Sequence, residues 1–96
     1  MKTIKDLIGK EEFVVTGNHD ELLQAEKILI KLGVKNKKRR HNKQSRDETY
    51  GGEYINNALD VFDDNHYMYT KFSIAILCVK PENIFTFPEF LQLIPE

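Results

Sequence analysis

From Lys35 to Thr49 the chain carries no apolar side chain. Such a stretch cannot be core, because polar and charged groups buried without partners cost several kcal/mol each, of order 2–7 for a neutral group. Together with Tyr50-Gly51-Gly52 it reads as a long basic loop over residues 35–52, and within a small domain a loop of that length is usually functional or disordered. It is also polarised. From Ile28 through Arg46 there is no Asp or Glu, while Lys31, Lys35, Lys37, Lys38, Arg39, Arg40, Lys43 and Arg46 supply eight positive charges. Residues 1–27 carry four bases against six acids, and residues 47–96 two bases against nine acids. A formal net charge of −1 therefore conceals a concentrated positive region. Clustered positive charge attracts polyanions and speeds encounter with them.

Ninety-six residues fit a single domain, 1–96, with one modest core and no room for a large enclosed cleft. One cysteine excludes a disulfide framework. Cys78 lies in the apolar run Ser73–Val79, where a buried structural thiol is expected. The N-terminal residues lack the apolar stretch of a secretory signal, and no run approaches the length of a membrane span. A reducing, cytoplasmic setting without membrane association is the expectation.

The clearest element is a helix over about 18–32. Leu22, Leu23, Ala25, Ile28, Leu29 and Leu32 recur at helical spacing, Asn18 with Glu21 makes a capping box, and Gly33 supplies the stop. Glu26 and Ile30 fall off the main stripe. Ile4, Leu7 and Ile8 suggest one short amphipathic turn, and Phe13–Thr16 a strand. Glu53–Asp64 is ambiguous: Tyr54, Ile55, Ala58, Leu59 and Phe62 fit one helical face, which is the preferred reading. Strands Glu53–Ile55 and Ala58–Phe62 about an Asn56-Asn57 turn are the alternative. Asp63-Asp64-Asn65 is a turn. Phe72–Val79, nearly all apolar, is expected to be a central buried strand. Lys80–Asn83 turns, Ile84–Phe87 is a brief strand, and Pro88 opens a short C-terminal helix through Phe90, Leu91 and Leu93. The fold class is α+β: helices on one face of a small, mostly antiparallel sheet.

Few strings suggest chemistry. Gly17-Asn18-His19-Asp20 follows a strand and resembles the Gly-Asn-His-acid motif of calcineurin-like metallophosphoesterases. There Asn18 would ligate a metal and His19 would protonate a leaving group. That family's other motifs are missing, so a strand-to-helix turn with an Asn cap is the simpler reading. His66 beside Asp63 and Asp64 lacks calcium-loop spacing, and no zinc or phosphate-loop pattern occurs. No catalytic residue, metal or cofactor is therefore expected.

Phe13-Val14-Val15, Leu22-x-x-Ala25-x-x-x-Leu29-x-x-Leu32-Gly33 and Ile84-Phe85-Thr86-x-Pro88-Glu89-Phe90-Leu91 together resemble small accessory proteins of tailed bacteriophages. The resemblance spans roughly half the chain. It implies a non-enzymatic scaffold of the host-takeover or counter-defence kind, and it transfers no functional residue. The insert between Gly33 and Tyr50 is not part of the shared pattern.

The expected function is thus a non-enzymatic binding protein. Lys35, Lys37, Lys38, Arg39, Arg40, Lys43 and Arg46 would contact RNA or DNA by phosphate neutralisation. Tyr50, Tyr67 and Tyr69 are candidate partner contacts if exposed. The alternative is a stoichiometric inhibitor of a host or defence enzyme that presents an acidic surface. A small sheet also leaves an edge that a second copy would cover in a two-fold homodimer.

Overall fold

The structure, a computed structural model, describes residues 3–36, 49–50, 53–54 and 57–94. In chain order the elements are α1 (Ile4–Leu7), β1 (Phe13–Thr16), α2 (His19–Lys31), β2 (Lys35–Asn36), β3 (Thr49–Tyr50), β4 (Glu53–Tyr54), β5 (Ala58–Val61), β6 (His66–Thr70) and α3 (Phe72–Ala75). A 3-10 turn (Pro81–Asn83), β7 (Ile84–Thr86) and α4 (Phe87–Gln92) complete it. The class is α+β, as the periodicities predict.

Three helices begin with the same device. At α2, Asn18 N–H donates to Glu21 Oε1 (3.0 Å) and Glu21 N–H to Asn18 Oδ1 (2.8 Å). At α4, Thr86 N–H donates to Glu89 Oε1 (2.9 Å) and Glu89 N–H to Thr86 Oγ1 (3.4 Å). At α1, the Thr3 N–H and hydroxyl both donate to Asp6 Oδ2. The Thr3 N–H bond holds the Asp6 carboxyl below its ordinary range. That cap is complete above the usual Asp pKa and is lost as pH falls through the lowered one. Each box satisfies backbone donors that a first helical turn otherwise leaves orphaned. α2 ends in a Schellman turn: Gly33 (φ 92) donates to Ile30 O and Val34 N–H to Leu29 O.

Five strands form a mixed sheet in the order β2-β6-β5-β1-β7, and β3-β4 make a separate antiparallel ribbon. β5 is antiparallel to both neighbours, β1 and β6, while the pairings at the two margins, β2 with β6 and β7 with β1, are parallel. β5 alone opposes the other four strands. The β5–β6 hairpin is inserted between the two parallel strands of a β1-α2-β2 unit. Its turn is a three-residue loop: Asn65 N–H donates to Phe62 O, and Asn65 (φ 68) takes the left-handed conformation that asparagine tolerates.

This topology decides which side each connection takes. The crossover from β1 to β2 travels one way along the sheet, and the crossover from β6 to β7 travels back. Parallel crossovers share one handedness, so opposite directions put them on opposite faces. Residues alternate to match. Phe13 and Val15 of β1, Leu59 and Val61 of β5, and Tyr67 and Tyr69 of β6 face α2, packing with Leu22, Ala25, Leu29, Ile4, Leu7, Phe87 and Phe90. Val14 and Ala58 face the other way, under Ala75 and Val79, with Ile84 alongside.

Three expectations fail here. Residues 53–64 hold no helix among those described; the strands β4 and β5 stand there, and β4 pairs with β3 rather than with β5. All four residues of β5 are buried, because both faces of a middle strand are covered, and this erases the alternation that would have marked a strand. Phe72–Val79 is not a central strand. Phe72 N–H donates to Asn57 Oδ1 (2.8 Å), one helical turn follows, and the segment lies across the sheet's second face. Ala75 and Val79 are buried, whereas Leu77 is 82 % exposed and Cys78 is exposed, not a core thiol.

Leu29→Ala should accordingly cost about 2–5 kcal/mol in urea unfolding, while Leu77→Ala should stay within about 0.5 kcal/mol of the parent. The Cys78 thiol should react with Ellman's reagent in the folded protein, without denaturant.

Candidate functional site

The chain reaches its basic stretch from the margin of the sheet. After the Schellman turn, Lys35 N–H donates to Asn65 O (3.0 Å), and the Asn65 side chain donates to Gly33 O (3.1 Å). These bonds fasten the end of α2 to the β5–β6 turn and start β2. Lys35 is exposed and pairs with His66, and Asn36 pairs with Tyr67. The chain is again a strand at Thr49–Tyr50, and from Asn57 it enters β5. Lys35 is thus the one predicted cation whose position is described. Lys37, Lys38, Arg39, Arg40, Lys43 and Arg46 lie outside the described residues, and so does the Tyr50 side chain.

Tyr67 and Tyr69 are not partner contacts. They are 2 % and 5 % exposed, and their hydroxyls converge on Glu26, itself 4 % exposed. Tyr67 OH donates to Glu26 Oε2 (2.5 Å), and Tyr69 OH lies 3.2 Å from Glu26 Oε1 and 3.3 Å from Leu22 O. A buried carboxylate needs such donors, since desolvation is costly and hydrogen bonds to a charged group contribute about 1.5–3 kcal/mol. Glu26 therefore belongs to the buried face of α2. Its spacing of four from Leu22 and three from Leu29 puts it there, although its charge argued for the outside. The aromatic chemistry of β6 is spent inside the protein, and stacking on a base is closed to these two rings.

The Gly17-Asn18-His19-Asp20 string has a structural explanation. Asn18 and Glu21 are engaged in the cap, and a Cβ at Gly17 would come within 2.9 Å of Glu21 Oε1 and 3.1 Å of Glu21 Cβ. Glycine precedes the cap because the folded-back Glu21 occupies the space. His66 Nδ1 lies 2.9 Å from Asp64 O and 3.3 Å from Asp64 Oδ1, so it closes its own turn. Among the described residues no group of three His, Cys, Asp or Glu side chains could hold a metal ion, and no helix is long and apolar enough to cross a membrane. No protein-family model, curated protein or solved structure matches the chain.

The described surface exposes single apolar side chains at Ile30, Leu32 and Leu91, a group of three on one segment, and cations elsewhere. Phe72, Ile76 and Leu77 are 37 %, 43 % and 82 % exposed along the segment that covers the second face. Lys27, Lys31 and Lys35 are exposed around the end of α2 and the start of β2.

Tyr67→Phe should cost about 1–3 kcal/mol, read by urea unfolding, because it removes a donor from a buried carboxylate. Since the ring is internal, the same change should leave the affinity for any nucleic-acid or protein partner unchanged once the variant is folded.

Proposed function

We propose that the protein is a non-enzymatic binding module whose basic segment engages the phosphate backbone of RNA or DNA. One observation carries the reading: six cations, Lys37, Lys38, Arg39, Arg40, Lys43 and Arg46, lie in an acid-free run that leaves a sheet margin at Asn36. Each cation that neutralises a phosphate releases condensed counterions, which favours binding and makes it salt-dependent. Contacts of this kind position a strand without reading its sequence. The resemblance to small accessory proteins of tailed bacteriophages supports a counter-defence or host-takeover role, and the host cytoplasm is the compartment we assign.

A second reading is favoured by the exposed Phe72, Ile76 and Leu77. Large apolar side chains grouped on one surface segment suit a protein partner, so the molecule would act as a stoichiometric inhibitor of a host or defence enzyme. On that reading Leu77→Ala should speed dissociation, and charge reversal in the basic segment should slow association.

Affinity purification from the native host, with and without nuclease, separates the two. Nucleic acid recovered only without nuclease, and lost when Lys37, Lys38, Arg39 and Arg40 are changed to Ala, supports the first reading. One protein retained through nuclease treatment overturns it in favour of the second. In fluorescence anisotropy against duplex DNA, the fourfold variant should lower the slope of log affinity against log salt by about 3.6.

A further inference from the structure

The segment that covers the sheet's second face is built with small side chains inward and large ones outward. Ala75 and Val79 are buried with Val14 and Ala58. Phe72, Ile76 and Leu77 face solvent, and Leu77, at 82 %, is the most exposed large apolar residue described. The backbone holds this arrangement. Phe72 N–H is anchored on Asn57 Oδ1, Ala75 N–H donates to Lys71 O, Ile76 N–H to Phe72 O and Cys78 N–H to Ala75 O. Removing three large apolar side chains from the core and fastening them at the surface has no packing benefit within the chain, so they suit an external apolar phase.

The charges along the segment bear on what that phase is. No carboxylate occurs between Asp64 and Glu82, and the exposed lysines Lys71 and Lys80 bound the segment at its two ends. Glu82, also exposed, is the nearest acid in sequence and lies beyond Pro81. A second copy docked here would set these lysines beside their own counterparts. A protein partner would need a cleft for Leu77, and three side chains fall well short of the roughly 800 Å² that each partner gives to a stable interface. The surface of an anionic bilayer asks for neither. It takes apolar side chains at the boundary between headgroups and acyl chains, while lysine ammonium groups stay with the lipid phosphates.

We propose that Phe72, Ile76 and Leu77 dock the protein reversibly on the surface of an anionic lipid membrane, with Lys71 and Lys80 on lipid phosphates. The expectation of no membrane association rests on the absence of a spanning run, and a surface dock needs none. The proposal goes beyond the nucleic-acid reading and does not depend on it.

The test uses the thiol of Cys78, the chain's one cysteine, exposed beside Leu77. The full chain, labelled there with the environment-sensitive fluorophore NBD, is mixed with vesicles of phosphatidylcholine, alone or with about one-third phosphatidylglycerol. Emission should move to shorter wavelength with the anionic vesicles only, and spin-labelled acyl chains should quench it. Lys71→Gln/Lys80→Gln should weaken partitioning roughly 25-fold and Leu77→Ala about tenfold, both with the parent's circular dichroism. The label's position separates this dock from adhesion through basic residues elsewhere, which would sediment the protein with anionic vesicles yet leave the label in water. An unshifted label, or equal partitioning by the parent and both variants, would overturn the proposal. Either result would leave Phe72, Ile76 and Leu77 to the protein partner of the second reading and the nucleic-acid reading untouched.

Discussion

A carboxylate in the interior is the constraint around which the rest is arranged. Glu26 sits on the inner face of α2, and without donors its burial would disfavour the folded state. The donors come from Tyr67 and Tyr69, alternate residues of β6 that share one sheet face. A register slip of one residue would turn both hydroxyls to the other face. The contact therefore fixes which way β6 lies under α2, and through the pairings of β6 with β5 and β2 it fixes the hairpin and the margin strand. Leucines could fill the same volume with less dependence on register. The polar cluster specifies the arrangement in a domain too small to rely on a large core.

Much of the fold was legible from local chemistry. The Asn18/Glu21 box, the Gly33 stop, the β-rich Phe13–Thr16 and Pro88 at the opening of α4 each carry their own instruction, and the structure follows them. The failures arise where burial comes from both sides. Ala58–Val61 is a covered middle strand and shows no alternation, so its helical spacing was accidental. Phe72–Val79 is apolar for a different reason: Ala75 and Val79 cover a sheet face, while Phe72, Ser73, Ile76, Leu77 and Cys78 remain at the surface. A run of apolar residues states that burial is available, not how much of it is used.

The candidate site was legible as charge and illegible as shape. Acid-free composition marks the basic segment without any alignment, and Lys35 stands exposed where the segment begins. The tyrosines drew attention because aromatics near basic residues suit nucleic acid. Nothing in their spacing revealed that an acid 41 and 43 positions upstream would claim them. By sequence Glu26 falls off the main stripe, yet its spacing from Leu22 and Leu29 and its burial place it on the inner face, a conflict between period and polarity. That conflict was the available signal, since a residue that breaks its local pattern is where a specified contact is expected.

The two crossovers on opposite faces also govern the order in which the molecule can be assembled. β1 precedes both of its partners, β5 and β7, so Val14 waits for both Asp60 and Ile84. Ile4 N–H finally bonds Leu93 O, near the far end of the chain. Both pairings of β1 are long-range, which slows folding relative to helical proteins of the same size. The nascent chain must therefore hold much of the inner face of α2 uncovered until β5 and β6 follow. The basic segment interrupts this wait. Through Arg46 the chain carries twelve bases against six acids, and an excess of like charge opposes association between copies while apolar faces still await their partners.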